Sequence, residues 1–522
     1  MEKFLARHRD SVIGRLCGFD RLVFRGTLRP LAHRGGLMSY LWSAQVLLKD
    51  FSAHAQDLSR RLKAASAALA GRTERPFRYL ASSAIKKEAL ARSIAGADGI
   101  DQGLVCILSA VEPCQSYEIV RCRAEQRLVL QPRHRKCLHL YHYHVHPVFG
   151  FMHARIQTWF PFSIQVCVNG REWLARSMDR VGLGYVQRDN CFVWLEDAAR
   201  AQALMDQQVR AAWPDLLDEI ARGLNPHHEE MFRARPLAYY WSTYQSEWAS
   251  DILFADPARL ARLYPRLVHH GLTTFVSPDV MRFLGRKIPP SDRLPAQLKA
   301  DLVSSMKVRP EGVRIRHRLG ANWIKMYDKQ ASVLRVETTI NKAADFKAFR
   351  APEGQPEAPK SWRRMRKGIA DLHRCTEVSQ AANDRYLNAL DSVEDSTCLS
   401  QLTARLCQAV KRKGRRWRAL NPHAPADAQL IEAISRGEFA VNGLRNRDLR
   451  RLLFDDAKAA KHIQRRHAAV VSRKLALLRA HRLIRKVPRT HRYHLTDKGR
   501  TIVTALVTAQ NASTDSLTKL AA

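Results

Sequence analysis

In residues 1 to about 100 the apolar positions recur mostly at helical spacing and are interleaved with basic ones. Examples are Leu41-Trp42-Ser43-Ala44-Gln45-Val46-Leu47-Leu48 and the alanine-rich run ending at Leu69-Ala70-Gly71. Side chains three and four apart share one helix face, so the pattern predicts a mainly helical, basic N-terminal region. One stretch departs from it: Phe19-Asp20-Arg21-Leu22-Val23-Phe24-Arg25-Gly26 is rich in aromatic and β-branched residues and reads as a short strand closed by glycine. From about 103 to 195 the pattern changes to strands, expected at 104–109, 128–130, 137–146, 150–159, 162–168 and 191–194. Asn169-Gly170 is a turn signal, with a helix expected after it at 172–178. Helices follow at about 197–222 and 257–305, then strands at 313–318, 323–328 and 332–340.

Strands interleaved with short helices predict an α+β body over 101–350 with a mixed sheet. The polar, proline-rich run 351–361 reads as a linker that ends this body. A helical basic segment is expected over 362–440, a compact module over 441–510 and a flexible tail over 511–522. The chain is therefore expected to be multidomain, as its 522 residues and 46% apolar content also imply.

Charge narrows the choice of partner. The 87 Lys and Arg outnumber the 49 Asp and Glu, leaving a formal net charge of +38. Such a surplus repels itself unless a polyanion neutralises it, and nucleic acid is the natural one. A membrane surface would call for a basic amphipathic helix with an apolar face, whereas these cations are spread along the whole chain. No run approaches the roughly 20 apolar residues that span a bilayer, and the opening residues Met1-Glu2-Lys3-Phe4-Leu5-Ala6-Arg7 have no apolar signal core, so a cytoplasmic location and no membrane partner are expected. Ten cysteines without a Cys-x-x-Cys pair read as reduced thiols rather than a zinc finger.

Within the last module, residues 444–454, 457–466 and 468–481 read as three helices. The third carries an apolar stripe of Val471, Leu475 and Leu478 that continues into Leu483-Ile484. Two short strands around a basic turn follow, then Asp497-Lys498-Gly499-Arg500 and a final apolar helix. This arrangement resembles the winged-helix family of the bacterial MarR type, with Ser472, Leu475, Leu478, Leu483, Ile484, Tyr493, Leu495, Thr496 and Gly499 at the family's positions. The resemblance implies a third helix that enters the DNA major groove and a wing that touches backbone, with Arg473, Lys474, Arg489, His491 and Arg492 as contacts.

Candidate chemistry lies in the body. In His139-Leu140-Tyr141-His142-Tyr143-His144-Val145-His146, strand alternation puts His142, His144 and His146 on one face, where they could ligate a metal. His144-Val145-His146 resembles the His-hydrophobic-His motif of rolling-circle replication initiators and related transposases, which implies a metal that polarises a scissile phosphate and a tyrosine nucleophile. Tyr240 and Tyr244 have the spacing that places two phenols on one helix face. Lys325-Met326-Tyr327-Asp328-Lys329 and Leu334-Arg335-Val336-Glu337 resemble strand motifs of replication initiators. Carboxylates offer a second scheme: Glu247 and Asp251 four apart on an expected helix, and Asp328 and Glu337 on neighbouring strands of a hairpin, gathering Mg²⁺ or Mn²⁺. Each of these acids could equally pair with the surplus arginines.

Arg155 and Trp159, next to Phe160-Pro161-Phe162, place an aromatic beside a cation as a base-stacking platform would. The cluster Lys411, Arg412, Lys413, Arg415 and Arg416 suits a phosphate-tracking arm. Together these features predict a nucleic-acid-binding protein of mobile-element or replicon type, DNA favoured over RNA, with metal-dependent nuclease or transposase chemistry as the candidate activity. A non-enzymatic transcriptional regulator or the protein part of a ribonucleoprotein is the alternative. The oligomeric state is left open.

Overall fold

The computed structural model describes residues 1–513 apart from 123–125, 276, 287–301, 310–311, 353, 391–398, 413, 437–438, 440–442, 457–458 and 489. The chain divides into two compact units. The first is Met1–Tyr264, Phe283–Gly285 and Val303–Asn388; the second is Pro265–Arg282, Arg286–Leu302 and Ala389–Ala522.

The first unit is built on strands β1 (Val12–Thr27), β2 (Phe77–Leu80), β3 (Gly103–Cys122), β4 (Arg127–His146), β5 (Gly150–Gln157), β6 (Ile164–Asn169), β7 (Tyr185–Arg188), β8 (Cys191–Leu195), β9 (Tyr240–Phe254), β10 (Leu302–Arg309), β11 (Gly312–Leu319), β12 (Asn322–Lys329) and β13 (Val333–Ile340). β7 and β8 pair with each other, and the other eleven form one sheet in the order β10-β11-β12-β13-β9-β1-β6-β5-β4-β3-β2. The β2–β3 pair is parallel, while the registers from β3 to β6 and from β1 to β13 are antiparallel. With helices beside them this is an α+β arrangement, as the periodicity predicts.

The central strands are covered on both faces. All eight residues of β13 are buried, and so are the last seven of β9. On one face the helix Leu372–Leu390 packs through polar contacts: Trp248 Nε1 donates to Gln380 Oε1 at 2.7 Å, and the Asn383 amide donates to the Trp248 carbonyl at 3.1 Å. On the other face the helices Gly170–Arg180 and Ala198–Arg210, with the β7–β8 hairpin, close an apolar cluster that includes Leu16, Leu174, Met178, Phe192, Met205, Leu253 and Val333. Asn169 caps the first of these helices by accepting from the amides of Arg171 and Glu172. Its first residue must be glycine, because a Cβ at Gly170 would lie 2.0 Å from the Phe19 carbonyl oxygen. That close approach brings Arg171 down onto β1.

Several expectations are corrected. The strand expected around Phe19 is sixteen residues long and sits in the middle of the sheet, so the N-terminal hundred residues belong to the same compact unit as the rest of it. Residues 128–130 and 137–146 are parts of one strand, β4, whose exposed polar middle masks its continuity. Residues 302–305 begin β10 and are not helical. The proline-rich run connects β14 (Lys347–Arg350) to β15 (Ser361–Arg364), which pair with each other, and the chain then returns to the same unit as the helix Leu372–Leu390. It is a loop of the body, since the residues after it carry the Gln380 and Asn383 that the sheet needs.

In the second unit β16 (Val410–Arg412) and β17 (Arg415–Trp417) form a hairpin where a helical segment was expected. β18 (Leu444–Arg445), β19 (Ile484–Lys486) and β20 (Arg492–Leu495) form a three-stranded sheet in the order β18-β20-β19. The helices Pro425–Ser435, Asn446–Phe454, Lys461–Ala480 and Asp497–Asn511 surround a core of Leu430, Ile434, Leu449, Val471, Leu475, Leu478, Leu483 and Ile502, among others. The stretch read as two helices, 457–466 and 468–481, is one helix of twenty residues, Lys461–Ala480. Nothing in His467-Ala468-Ala469 breaks a helix, and alanine extends it. Most of the tail expected to be flexible, 511–522, lies outside the described residues.

Candidate metal centre and nucleic-acid interface

At the centre of the sheet, alternation turns Glu247 and Asp251 of β9, Arg335 and Glu337 of β13, and Lys325 and Tyr327 of β12 to one face. The register fixes this: Asp251 opposes Arg335, and Glu337 opposes Lys325. Asp20 of β1 joins them at the register shift between Phe19 and Arg21. Asp20, Glu247 and Glu337 each bring a carboxylate oxygen within 4.8 Å of the others, and among the described residues no other group of three or more His, Cys, Asp or Glu does so.

The charges are closely matched. Arg335 Nε donates to Asp251 Oδ1 at 2.5 Å and its Nη2 to Asp251 Oδ2 at 2.7 Å, while Nη1 reaches Asp20 Oδ1 at 2.7 Å. Arg171 Nη2 adds a bond of 2.9 Å to Asp251. Burial pushes the Asp251 carboxyl up, but the two guanidiniums outweigh it and hold it below the usual carboxylate range. Burial likewise pushes Glu337 up. Lys325 Nζ at 2.6 Å and the Tyr327 hydroxyl at 2.5 Å outweigh it and keep Glu337 ionised. Glu247 is left with the weakest support, a contact of 3.6 Å with Lys325. Burial, then the charge of Glu337, pushes its pKa up to about 7.

This oxygen-only donor set suits Mg²⁺ or Mn²⁺. Glu247 is the member with most to gain from a cation. The half-exposed Arg21, paired with Glu88 at 2.8 Å, stands on β1 directly opposite Glu247.

The expected site residues fall out unevenly. Glu247 and Asp251 lie on a strand, not a helix; a spacing of four repeats on both periods, so it does not distinguish them. Asp328 and Glu337 occupy neighbouring strands, but nine positions apart across a hairpin they face opposite sides: Lys325 and Tyr327 share the Glu337 face and Asp328 does not. Asp328 Oδ1 is buried without a hydrogen-bond partner, and burial pushes its pKa up to about 6. Tyr240 and Tyr244 also lie on β9, exposed, with the Arg29 guanidinium 3.4 Å from the centre of the Tyr240 ring and the Lys367 ammonium 5.8 Å from that of Tyr244.

His142, His144 and His146 do share a face of β4, and the His142 and His144 rings are 6.4 Å apart. His142 Nε2 is 3.1 Å from the Ser66 hydroxyl, and His146 Nδ1 accepts from the amides of Val148 and Phe149. Burial pushes the first two imidazoles down to about 3 and about 4, so they are neutral. Arg155 is held by Glu112 at 3.1 Å, and Trp159 is half-buried against Phe51.

In the second unit Lys411, Arg415 and Arg416 are exposed on the β16–β17 hairpin, and Arg412 donates to the Arg479 carbonyl. Lys413 and Arg489 lie outside the described residues. Arg473 and His491 are exposed and Arg492 is half-buried. Lys474 instead reaches the Ala426 carbonyl at 3.3 Å, and burial lowers its pKa. On the Lys461–Ala480 helix the exposed positions include Arg465, Arg466, Ala469, Ser472 and Arg473, at spacings of three and four. Arg465 and Arg466 escape a reading that splits this helix. Asp20 escapes one that ignores a carboxylate inside an apolar strand; that misplaced charge was the available signal.

No protein-family model, no curated protein and no solved structure matches the chain.

Proposed function

We propose that this protein binds nucleic acid, DNA in preference to RNA, and that the carboxylate centre of its sheet supports metal-dependent cleavage of a phosphodiester strand, as a mobile-element or replicon protein would require. The convergence of Asp20, Glu247 and Glu337 from three adjacent strands carries the catalytic part. A divalent ion held there would polarise the scissile phosphate and acidify an attacking water. Asp20, Glu247 and Glu337 would hold it, Lys325 would orient Glu337, and Arg21 at the rim would meet the substrate's charge.

Element order supports the binding part. Helix Pro425–Ser435, β18, helix Asn446–Phe454, helix Lys461–Ala480, β19 and β20, with the sheet ordered β18-β20-β19, is the sequence of parts in a winged helix. On that reading the Arg465, Arg466 and Arg473 face enters the major groove, and the β19–β20 turn with His491 and Arg492 lies along the backbone.

A specific observation favours a second reading, a non-enzymatic binder: Lys325 and Arg335 already neutralise much of the acidic cluster. One experiment separates the two. Labelled single- and double-stranded DNA is incubated with the protein and Mg²⁺ or Mn²⁺; nicking that Glu247→Gln abolishes, with DNA binding retained, supports the enzyme. Binding without nicking under either ion leaves the non-enzymatic binder, and a covalent tyrosyl adduct lost in Tyr240→Phe or Tyr244→Phe would return the nucleophile to β9.

A further inference from the structure

The β14–β15 ribbon has two unlike faces. Ala348 and Arg350 are buried, and Arg350 is tied to the Ala351 and Arg364 carbonyls at 3.0 Å each. Beyond the ribbon the buried Met365 donates its amide to the Phe346 carbonyl at 2.9 Å, so the ribbon is anchored at its base. On the other face Phe349 and Trp362 oppose each other in register with ring centres 5.7 Å apart. They remain 54% and 61% exposed, and a large aromatic pair left in water on an anchored ribbon is unfavourable unless something covers it. Two residues along the same face, Lys347 opposes Arg364, both exposed. Residues 347–367 hold seven Lys and Arg against two Glu; with Arg350 buried and Arg366 paired to Asp371, Lys347, Lys360, Arg363, Arg364 and Lys367 still outnumber the acids, so the surroundings favour an anion over a neutral apolar partner.

We propose that Phe349 and Trp362 form a stacking platform for the bases of single-stranded nucleic acid, with Lys347 and Arg364 receiving the phosphates beside it. The proposal rests on the nucleic-acid reading above and names the element and the strand state. Adjacent rungs on one face lie about 7 Å apart, so an aromatic rung next to a cationic rung suits a base and its own phosphate. Base stacking is indifferent to sequence because every base has a π-face, whereas a paired duplex hides those faces. The strand leaving the ribbon runs directly to Lys367, whose carbonyl accepts from the Thr243 amide at 2.7 Å beside the exposed Tyr244. The chain that leaves the platform therefore leads to the exposed tyrosines at the start of β9.

The test uses the full chain with fluorescently labelled oligo(dT) and a duplex of equal length at low ionic strength. Phe349→Ala with Trp362→Ala is expected to weaken oligo(dT) binding on the order of tenfold or more while leaving duplex binding unchanged. Trp362→Phe is expected to retain most of the affinity, which separates stacking from a fold defect. Lys347→Ala with Arg364→Ala should lower the salt dependence of oligo(dT) binding. If the double aromatic variant binds oligo(dT) like the parent, or loses duplex binding equally, the platform is refuted while the nucleic-acid reading stands. If the parent binds neither strand nor duplex, both are overturned.

Discussion

The sheet centre of the first unit and the C-terminal part of the second spend their cations in opposite ways. At the sheet centre, Arg335 of β13 and Arg171 of the covering helix are buried, Lys325 is largely so, and each is matched by a carboxylate within hydrogen-bond distance. From 389 to 522 there are 27 Lys and Arg against 11 Asp and Glu, and Arg465, Arg466, Arg473, Arg415 and Arg416 face water. The second unit keeps a few structural arginines of its own, Arg418 on the buried Asp427 and Arg450 on the buried Asp456, but most of its surplus stands in water, where a ligand can reach it. Burial decides which: a guanidinium in a low-dielectric interior is tolerable only when paired, while one in water is held by little and free to exchange counterions for phosphates.

Matched substitutions break or sharpen this contrast. Arg335→Ala leaves Asp251 with Arg171 as its one remaining ion pair and Asp20 with only the Asn190 amide, and should cost about 3–5 kcal/mol. Urea unfolding of the variant would show it, and a loss below about 1 kcal/mol would mean that the network is not the structural element described. Arg465→Ala, the same chemical change, should stay within about 0.5 kcal/mol of the parent. Binding should reverse the order. The triple change Arg465→Ala, Arg466→Ala and Arg473→Ala is expected to reduce DNA affinity on the order of 10- to 100-fold, and to flatten the slope of log affinity against log salt by roughly 2–3, at about 0.9 for each phosphate contact. An unchanged slope would move the DNA interface away from this helix.

What the sequence disclosed follows the same division. Elements with a clean period were legible: β5, β6, β8, β11, β12 and β13 fall close to their expected places, as does the helix capped by Asn169. The carboxylate centre was legible only in parts. Glu247, Asp251 and Glu337 stood out as acids, but their union depends on which strands are neighbours, and β1 lies more than two hundred residues from β9 in sequence. Pairing of that kind is set by the packing of whole faces and leaves no local trace. The histidines of β4 erred in the other direction. Their alternation is real, yet neutral imidazoles already engaged by Ser66 and by the turn after His146 are what a buried polar face also needs.

The next contrast concerns pH. Glu247, raised to about 7, binds a proton in the folded chain that the unfolded chain releases near its ordinary range. The folded state is therefore penalised as pH rises from about 4.5 to about 7, and Glu247→Gln should remove the penalty. The metal-free variant is expected to be more stable than the parent at pH 8, on the order of 1 kcal/mol, with the difference falling to a small fraction of that at pH 5. Divalent-ion affinity of the parent should rise over the same interval as the carboxylate ionises. Thermal unfolding with and without Mn²⁺ at the two pH values tests both; a pH-independent difference would mean that Glu247 is already ionised through Lys325.

The smallest effect belongs to the second unit, at a single helix cap that lies apart from its ion pairs Arg418–Asp427 and Arg450–Asp456, whose carboxylates are buried. Thr496 Oγ1 accepts from the Gly499 amide at 2.9 Å and donates to the Arg482 carbonyl at 2.6 Å, joining the start of the Asp497–Asn511 helix to the end of the Lys461–Ala480 helix. Gly499 permits the approach, since a Cβ there would lie 2.0 Å from the Leu483 carbonyl oxygen. Thr496→Ala should cost about 1 kcal/mol, the usual worth of such a cap, and Thr496→Ser should restore most of it. Amide exchange along residues 499–510 should quicken in the alanine variant while exchange in β9 and β13 stays unchanged. Equal acceleration in both places would show that the charge network and the cap stabilise one cooperative structure, and the contrast between the two regions would then be one of position only.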